Sequence, residues 1–154
     1  ADLIVDTSPV AVPALRLLLE LAFGEHVPQA TRVSIVSFGF KYGLPMDADL
    51  VVDLRFLPNP HWIPELRNHT GRDDDVRDYV LSQAGALEFV DRYLELLALV
   101  SGGYRREGKR YLTLAVGCTG GKHRSVAISE ELGRRLAEVD GMAVRVTHRD
   151  LGRE

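Results

Sequence analysis

The chain of 154 residues has a single cysteine, a single tryptophan and two methionines, and aromatic residues make up only 7% of it. One cysteine excludes an internal disulfide, and with no second cysteine nearby a structural zinc cluster lacks its ligands. Long apolar runs are missing too. The longest, Leu94-Glu-Leu-Leu-Ala-Leu-Val100, falls far short of the roughly 20 residues a membrane-spanning helix needs. No charged-then-apolar leader opens the sequence, so a cytoplasmic location and no membrane partner are expected. Repeats and low-complexity segments are absent as well, and with 45% hydrophobic residues the chain carries enough apolar side chain for one core.

Strong net charge is also lacking. At −3 the chain has no overall nucleic-acid footprint, yet the sum conceals an asymmetry. Residues 1–103 carry 8 Lys and Arg against 15 Asp and Glu, and residues 104–154 carry 11 against 7. The basic part contains the only cysteine, inside the glycine-rich stretch Val116-Gly-Cys-Thr-Gly-Gly-Lys-His-Arg-Ser125.

Periodicity supplies the frame. Leu3-Ile-Val5 reads as a short strand, Val12 to Phe23 as a leucine-rich helix, and Gly24 to Thr31 as a linker. Arg32 to Phe38 is strand-like, and Asp49 to Phe56 is a second strand whose continuous apolar centre predicts a sheet covered on both faces. Three prolines between Leu57 and Pro64 forbid regular structure. Asp73-Asp-Asp75 predicts the cap of a helix beginning near Val76, and a second helix spans about Ala86 to Val100, ended by Gly102-Gly103. A strand at Tyr111–Val116, a helix from Ser125 to Ala137 and a strand at Met142–Thr147 follow. The order β, β, α, α, β, α, β predicts an α/β fold, a three-layer sandwich around a mostly parallel sheet. Ligands of such sheets sit beyond the carboxyl ends of the strands, where Lys41, the segment Arg55 to His61 and the loop Cys118 to Arg124 are expected to meet.

A glycine-rich turn from strand to helix gathers backbone N–H groups and a positive dipole end at one point, so it suits an anion. The Walker pattern is excluded, because Lys122 is followed by His123 and the glycine spacing is too short. Cys118, five residues, Arg124 and Ser125 do fit the signature of cysteine phosphatases, in which the thiolate attacks, the arginine clamps phosphate and Ser125 assists the leaving step. Such an enzyme needs a carboxylic general acid, and no loop obviously offers one. The alternative is that Cys118 is a small packing residue beside a non-catalytic anion site.

The motifs Ser37-Phe-Gly-Phe-Lys-Tyr-Gly-Leu-Pro45, Asp53-Leu-Arg-Phe-Leu-Pro-Asn-Pro-His-Trp62, Thr70-Gly71, Gly117-Cys-Thr-Gly-Gly-Lys-His-Arg-Ser-Val126 and His148-Arg149 resemble the C-terminal domain of the RapZ RNase adapter family, called YvcJ in other bacteria. The resemblance runs from about residue 31 to 151. It implies a fold similar to a phosphofructokinase subdomain and a non-catalytic domain that senses glucosamine-6-phosphate, with no cofactor of its own. It likewise implies ligand contacts at Lys41, His61, Thr119, Gly120, Lys122 and Arg124, with Arg55, Cys118, Gly121, His123 and Ser125 close by. On pattern alone His61 and Lys41 are equally loop residues, and Arg55 is equally a partner for Asp53. The opening Ala1 to Ser8 resembles the last strand of the family's ATP- or GTP-binding P-loop domain. Residues 1–27 are therefore expected to end that domain and its linker, and residues 28–154 to form the sensing domain. The family also implies homo-oligomers and RNA or an RNase as partners. Where enterobacterial members carry a lysine- and arginine-rich tail that serves RNA, Thr147 to Glu154 here is nearly balanced in charge, so RNA is expected to meet at most a weaker basic face of Arg134, Arg135, Arg145, His148 and Arg149.

Overall fold

A computed structural model describes residues 30–153 together with residues 11, 14 and 15. The expected N-terminal strand and most of the leucine-rich helix before Thr31 lie outside the described residues. Four strands, β1 (Thr31–Gly39), β2 (Leu50–Asp53), β3 (Tyr111–Cys118) and β4 (Met142–His148), form one all-parallel sheet in the order β2-β3-β1-β4. Helices α1 (Asp74–Ser82), α2 (Ala86–Arg106) and α3 (Arg124–Ala137) flank it. This is the α/β class predicted by the alternation of periods, with an arrangement consistent with a three-layer sandwich.

Alternation sets the register. Val33 and Ile35 of β1 lie beside Leu112 and Leu114 of β3 and beside Val144 and Val146 of β4, so one face of the sheet is apolar along its length. Val76 and Val80 of α1, Val90 and Leu97 of α2, and Ile128, Leu132 and Leu136 of α3 join the same core. Each such fully buried aliphatic side chain contributes about 1.5–3 kcal/mol. Helix α3 packs against β1, β3 and β4 alike, which fixes its N-terminus over the carboxyl end of the sheet.

Two expectations are corrected. The second strand is only Leu50–Asp53 and lies at the sheet edge, where Val51 is 47% exposed, so it is not covered on both faces. The chain leaves the ladder at Leu54, a fully buried side chain that turns into the core. Helix α2 does not stop at Gly102-Gly103. It runs on to Arg106, because Ser101 is buried and Tyr104 still packs on the core. That packing outweighs the ~1 kcal/mol each interior glycine costs. Gly108, at φ 77°, makes the left-handed turn that follows the helix.

Helix α1 begins after Asp73, with Asp74 and Asp75 in its first turn, where carboxylates suit the dipole. Asp73 itself reaches backward: its carboxylate accepts from the Thr70 N–H at 2.7 Å and from the Thr70 hydroxyl at 2.9 Å. The Thr70-Gly71 loop thereby lies against the start of α3, with the Gly71 N–H donating to the Lys122 carbonyl at 2.8 Å.

Candidate functional site

Adjacent strands β1 and β3 send their chains to opposite sides: β1 continues to β2 beyond β3, and β3 continues to β4 beyond β1. The crevice between their carboxyl ends is the switch point at which such sheets bind ligands. A cleft of about 360 Å³ opens there. Three loops build it: Lys41 from the turn after β1, Asn59, His61 and Trp62 from the proline-rich segment after β2, and Cys118, Thr119, Gly120, Lys122, His123 and Arg124 from the connection between β3 and α3.

Backbone contacts draw the loops together. The Lys41 N–H donates to the Thr119 carbonyl at 3.3 Å. Gly121 sits at φ 77°, and a Cβ there would lie 2.7 Å from the Gly39 nitrogen, so only glycine allows the two loops to touch. The Gly39 N–H in turn donates to Asp150 Oδ2 at 2.8 Å. Asp150 is fully buried, accepts from Arg149 and Arg153, and closes a clasp in which the Tyr42 hydroxyl donates to the Arg153 carbonyl. Burial alone would raise its pKa. The Arg149 and Gly39 hydrogen bonds and Arg153 outweigh that and hold the carboxyl below its ordinary value.

Arg124 opens α3 and is 4% exposed. Its Nη1 donates to the Leu57 carbonyl at 2.8 Å and its Nη2 to Thr119 Oγ1 at 3.2 Å, which joins the loop after β2 to the loop after β3. Its Nε is buried without a hydrogen-bond partner. The charge that answers it at a distance is the Asp53 carboxylate, which Arg55 first and Arg124 in part hold below its ordinary pKa. No carboxylate lines the cleft among the described residues. Cys118 forms its floor: the thiol accepts the Gly121 N–H at 3.3 Å and lies 3.1 Å from Ser125 Oγ, and both side chains are buried. His123 caps the start of α3, with Nε2 3.3 Å from the Arg67 carbonyl and its ring 6.4 Å from that of His61.

The expected residues therefore fall into three groups. Lys41, His61, Cys118, Thr119, Gly120, Lys122, His123 and Arg124 line the cleft. Gly121 and Ser125 support it from behind. Arg55 stands apart: it forms a bidentate pair with Asp53, at 2.6–2.9 Å, and lies over the Phe40 ring at 4.2 Å. That pair holds the Asp53 carboxyl low. Reading the sequence missed Asn59 and Trp62 as lining residues and Asp150 as the buttress, although the first two stand within a quoted motif.

The proposed basic face is largely committed elsewhere. Arg134 pairs with Glu131 and Glu138, and Arg135 with Glu131 and Asp91. His148 lies between Ser37 Oγ at 2.8 Å and Glu130 at 2.9 Å, and Arg149 belongs to the Asp150 clasp. Arg145 is exposed on edge strand β4. Among the described residues no helix is long and apolar enough to cross a membrane, and no cluster of His, Cys, Asp or Glu is placed to hold a metal ion.

Fold and cleft define a class: a parallel α/β domain with a cleft at the switch point of its sheet that is lined by cationic side chains and, among the described residues, by no carboxylate. The sequence profile of the RapZ C-terminal domain matches residues 31–152, and the chain belongs to that family. It is 66% identical over its full length to 53% of a nucleotide-binding protein of Mycolicibacterium smegmatis. It is 64% identical to 52% of one from Rhodococcus erythropolis and 65% identical to 53% of one from a Parafrankia species, again over its full length. The chain thus spans about half the length of the curated relatives it matches.

Proposed function

We propose that the domain is the metabolite-sensing half of a RapZ-like nucleotide-binding protein, and that its cleft holds the phosphate of a phosphorylated amino sugar such as glucosamine-6-phosphate. Arg124 carries this reading. A guanidinium with a partnerless Nε, buried beside a cleft without carboxylates, is costly unless an anion completes it. Phosphate fits the fork, the glycine-rich loop and the N-terminus of α3 at once. Nucleotide binding, the property named for the relatives, belongs in this reading to an ATP- or GTP-binding partner domain, and occupancy of the cleft is relayed to that domain, to another copy of the chain, or to an RNA or protein partner. The relay has a physical route, since the Lys41 turn is tied to the C-terminal segment through Gly39, Asp150 and Arg153.

Calorimetric titration with glucosamine-6-phosphate tests the assignment. Arg124→Ala is expected to lower affinity about 100-fold, the loss of a charge-assisted pair. Because Arg124 also bridges two loops, Lys122→Ala and Lys41→Ala are read beside it, each expected to weaken binding about tenfold with an unchanged circular-dichroism spectrum. Unaltered affinity in all three variants refutes the site.

A second reading rests on the Cys118 thiol, which meets the Gly121 N–H and the Ser125 hydroxyl as a phosphatase loop would require. The cleft supplies no carboxylic acid for the leaving group, which favours binding over turnover. Phosphate release that disappears in Cys118→Ser would reverse that preference.

A further inference from the structure

Helix α2 buries one face in the usual way, through Ala86, Val90, Leu97 and Ser101. The opposite face of a surface helix is ordinarily polar. The C-terminal half of α2 departs from that rule. Leu96 is 44% exposed and Leu99 is 72% exposed, and the next turn on the same side holds Gly102 and Gly103. With 3.6 residues per turn, Leu99 points almost directly away from the side that carries Leu97 and Ser101.

The two glycines have no use inside the fold. A Cβ added at Gly102 or Gly103 would meet only the end of the Arg106 side chain, at 3.8 and 3.7 Å, so the chain's own packing does not require their smallness. They leave a bare stretch of helix backbone beside an exposed leucine, a surface that another helix can approach closely. Charge marks the two ends of the stripe. Glu88 pairs with Arg92 and Asp91 with Arg135, whereas Glu95 and Arg106 have no ion pair among the described residues.

We infer that this stripe of α2 is an interface between two copies of the chain, packed helix against helix in antiparallel fashion. With the two-fold axis level with Val100 and Ser101, Leu99 of each copy falls on Gly102 and Gly103 of the other, and Glu95 of each comes level with Arg106 of the other. One placement of the axis satisfies both relations. A surface that matches itself in this way, knob to hollow and acid to base, is what a two-fold contact demands, since every contact in it is made twice. About a dozen residues, roughly 18 Å of helix, make a small interface, so the association is weak and depends on concentration. The contact uses no residue of the cleft, and the inference is independent of the ligand proposed there.

The test follows the weight-average mass of the 154-residue chain by sedimentation over a concentration series. Leu99→Glu should weaken association roughly tenfold or more and halve the mass where the wild type is assembled, with an unchanged circular-dichroism spectrum because the side chain is exposed. Glu95→Lys and Arg106→Glu should each weaken association about fivefold, and the double variant, which restores opposite charges across the axis, should recover most of the loss. Gly102→Ala separates contact from folding. It fills the hollow and should weaken association about fivefold, while the melting temperature of the dilute chain rises by about 3 °C because alanine suits a helix interior better. A wild type that stays monomeric at every concentration overturns the inference. An assembly that Leu99→Glu leaves intact overturns it too, and assigns association to another face. A double charge reversal that recovers nothing overturns the antiparallel register.

Discussion

Asp150 shows how much one side chain does in this domain. Two segments meet at its carboxylate, which is fully buried and takes bonds from Gly39 at the end of β1 and from Arg149 and Arg153 after β4. Its folded pKa lies below the ordinary 3.8, so the stability it contributes is fully present above that value and is lost as pH falls through the depressed one. Urea midpoints measured from about pH 5 down to about pH 2 should therefore fall most steeply below the ordinary carboxylate range. Asp150→Asn should cost ~2 kcal/mol at neutral pH and flatten that acid limb. Parallel limbs in the two proteins would assign the acid sensitivity to other carboxylates. Nothing near Asp150 in the sequence announces this role, because its partner Gly39 is 111 positions away. By contrast Cys118, Lys122 and Arg124 were legible, since they share one loop whose spacing carries the chemistry. Lys41 and His61 were placed near the site by the strand ends their loops follow, and named as contacts only through the family motif, whereas Asn59 and Trp62 were passed over because neither residue type signals phosphate.

At the level of elements, periodicity found each strand and α-helix between Thr31 and His148, but neither where two of them end nor the short 3-10 turns Phe40–Tyr42 and Pro60–Trp62, the second within the segment whose prolines were expected to forbid regular structure. Local rules read Gly102-Gly103 as a stop and the apolar run at Asp49–Phe56 as one long strand. The core contact of Tyr104 and the inward turn of Leu54 decided otherwise, and both are tertiary. The loop between β3 and α3 follows local rules more closely, since Gly121 must adopt φ 77° and leave room for Gly39. Gly121→Ala is expected to destabilise the domain by ~1–3 kcal/mol and to abolish phosphate binding together with it. A thermal-denaturation series with inorganic phosphate checks both: the variant should melt lower and gain nothing from added phosphate, whereas ligand-dependent stabilisation equal to wild type would show that the loop tolerates a side chain.

At the scale of the whole molecule, many surface charges of the described residues pair with one another. The surface arginines of α3 are committed to Glu131, Glu138 and Asp91, and the net charge is −3. If RNA is the downstream partner, this helix face is not its footprint. An RNA titration at two ionic strengths should show a shallow salt dependence that Arg134→Ala/Arg135→Ala leaves unchanged. A slope that falls by about two in the double variant would make them phosphate contacts after all. The strand order carries one more consequence. Central strand β1 is the earliest of the four in the chain, yet it pairs only with β3 and β4, Arg32 beside Tyr111 and Thr31 beside Met142. During synthesis on the ribosome its hydrogen-bonding edges must wait for almost the whole domain to emerge, so the sheet closes late and all at once, and a nascent chain stalled before β4 would leave β1 open to chaperones or to self-association.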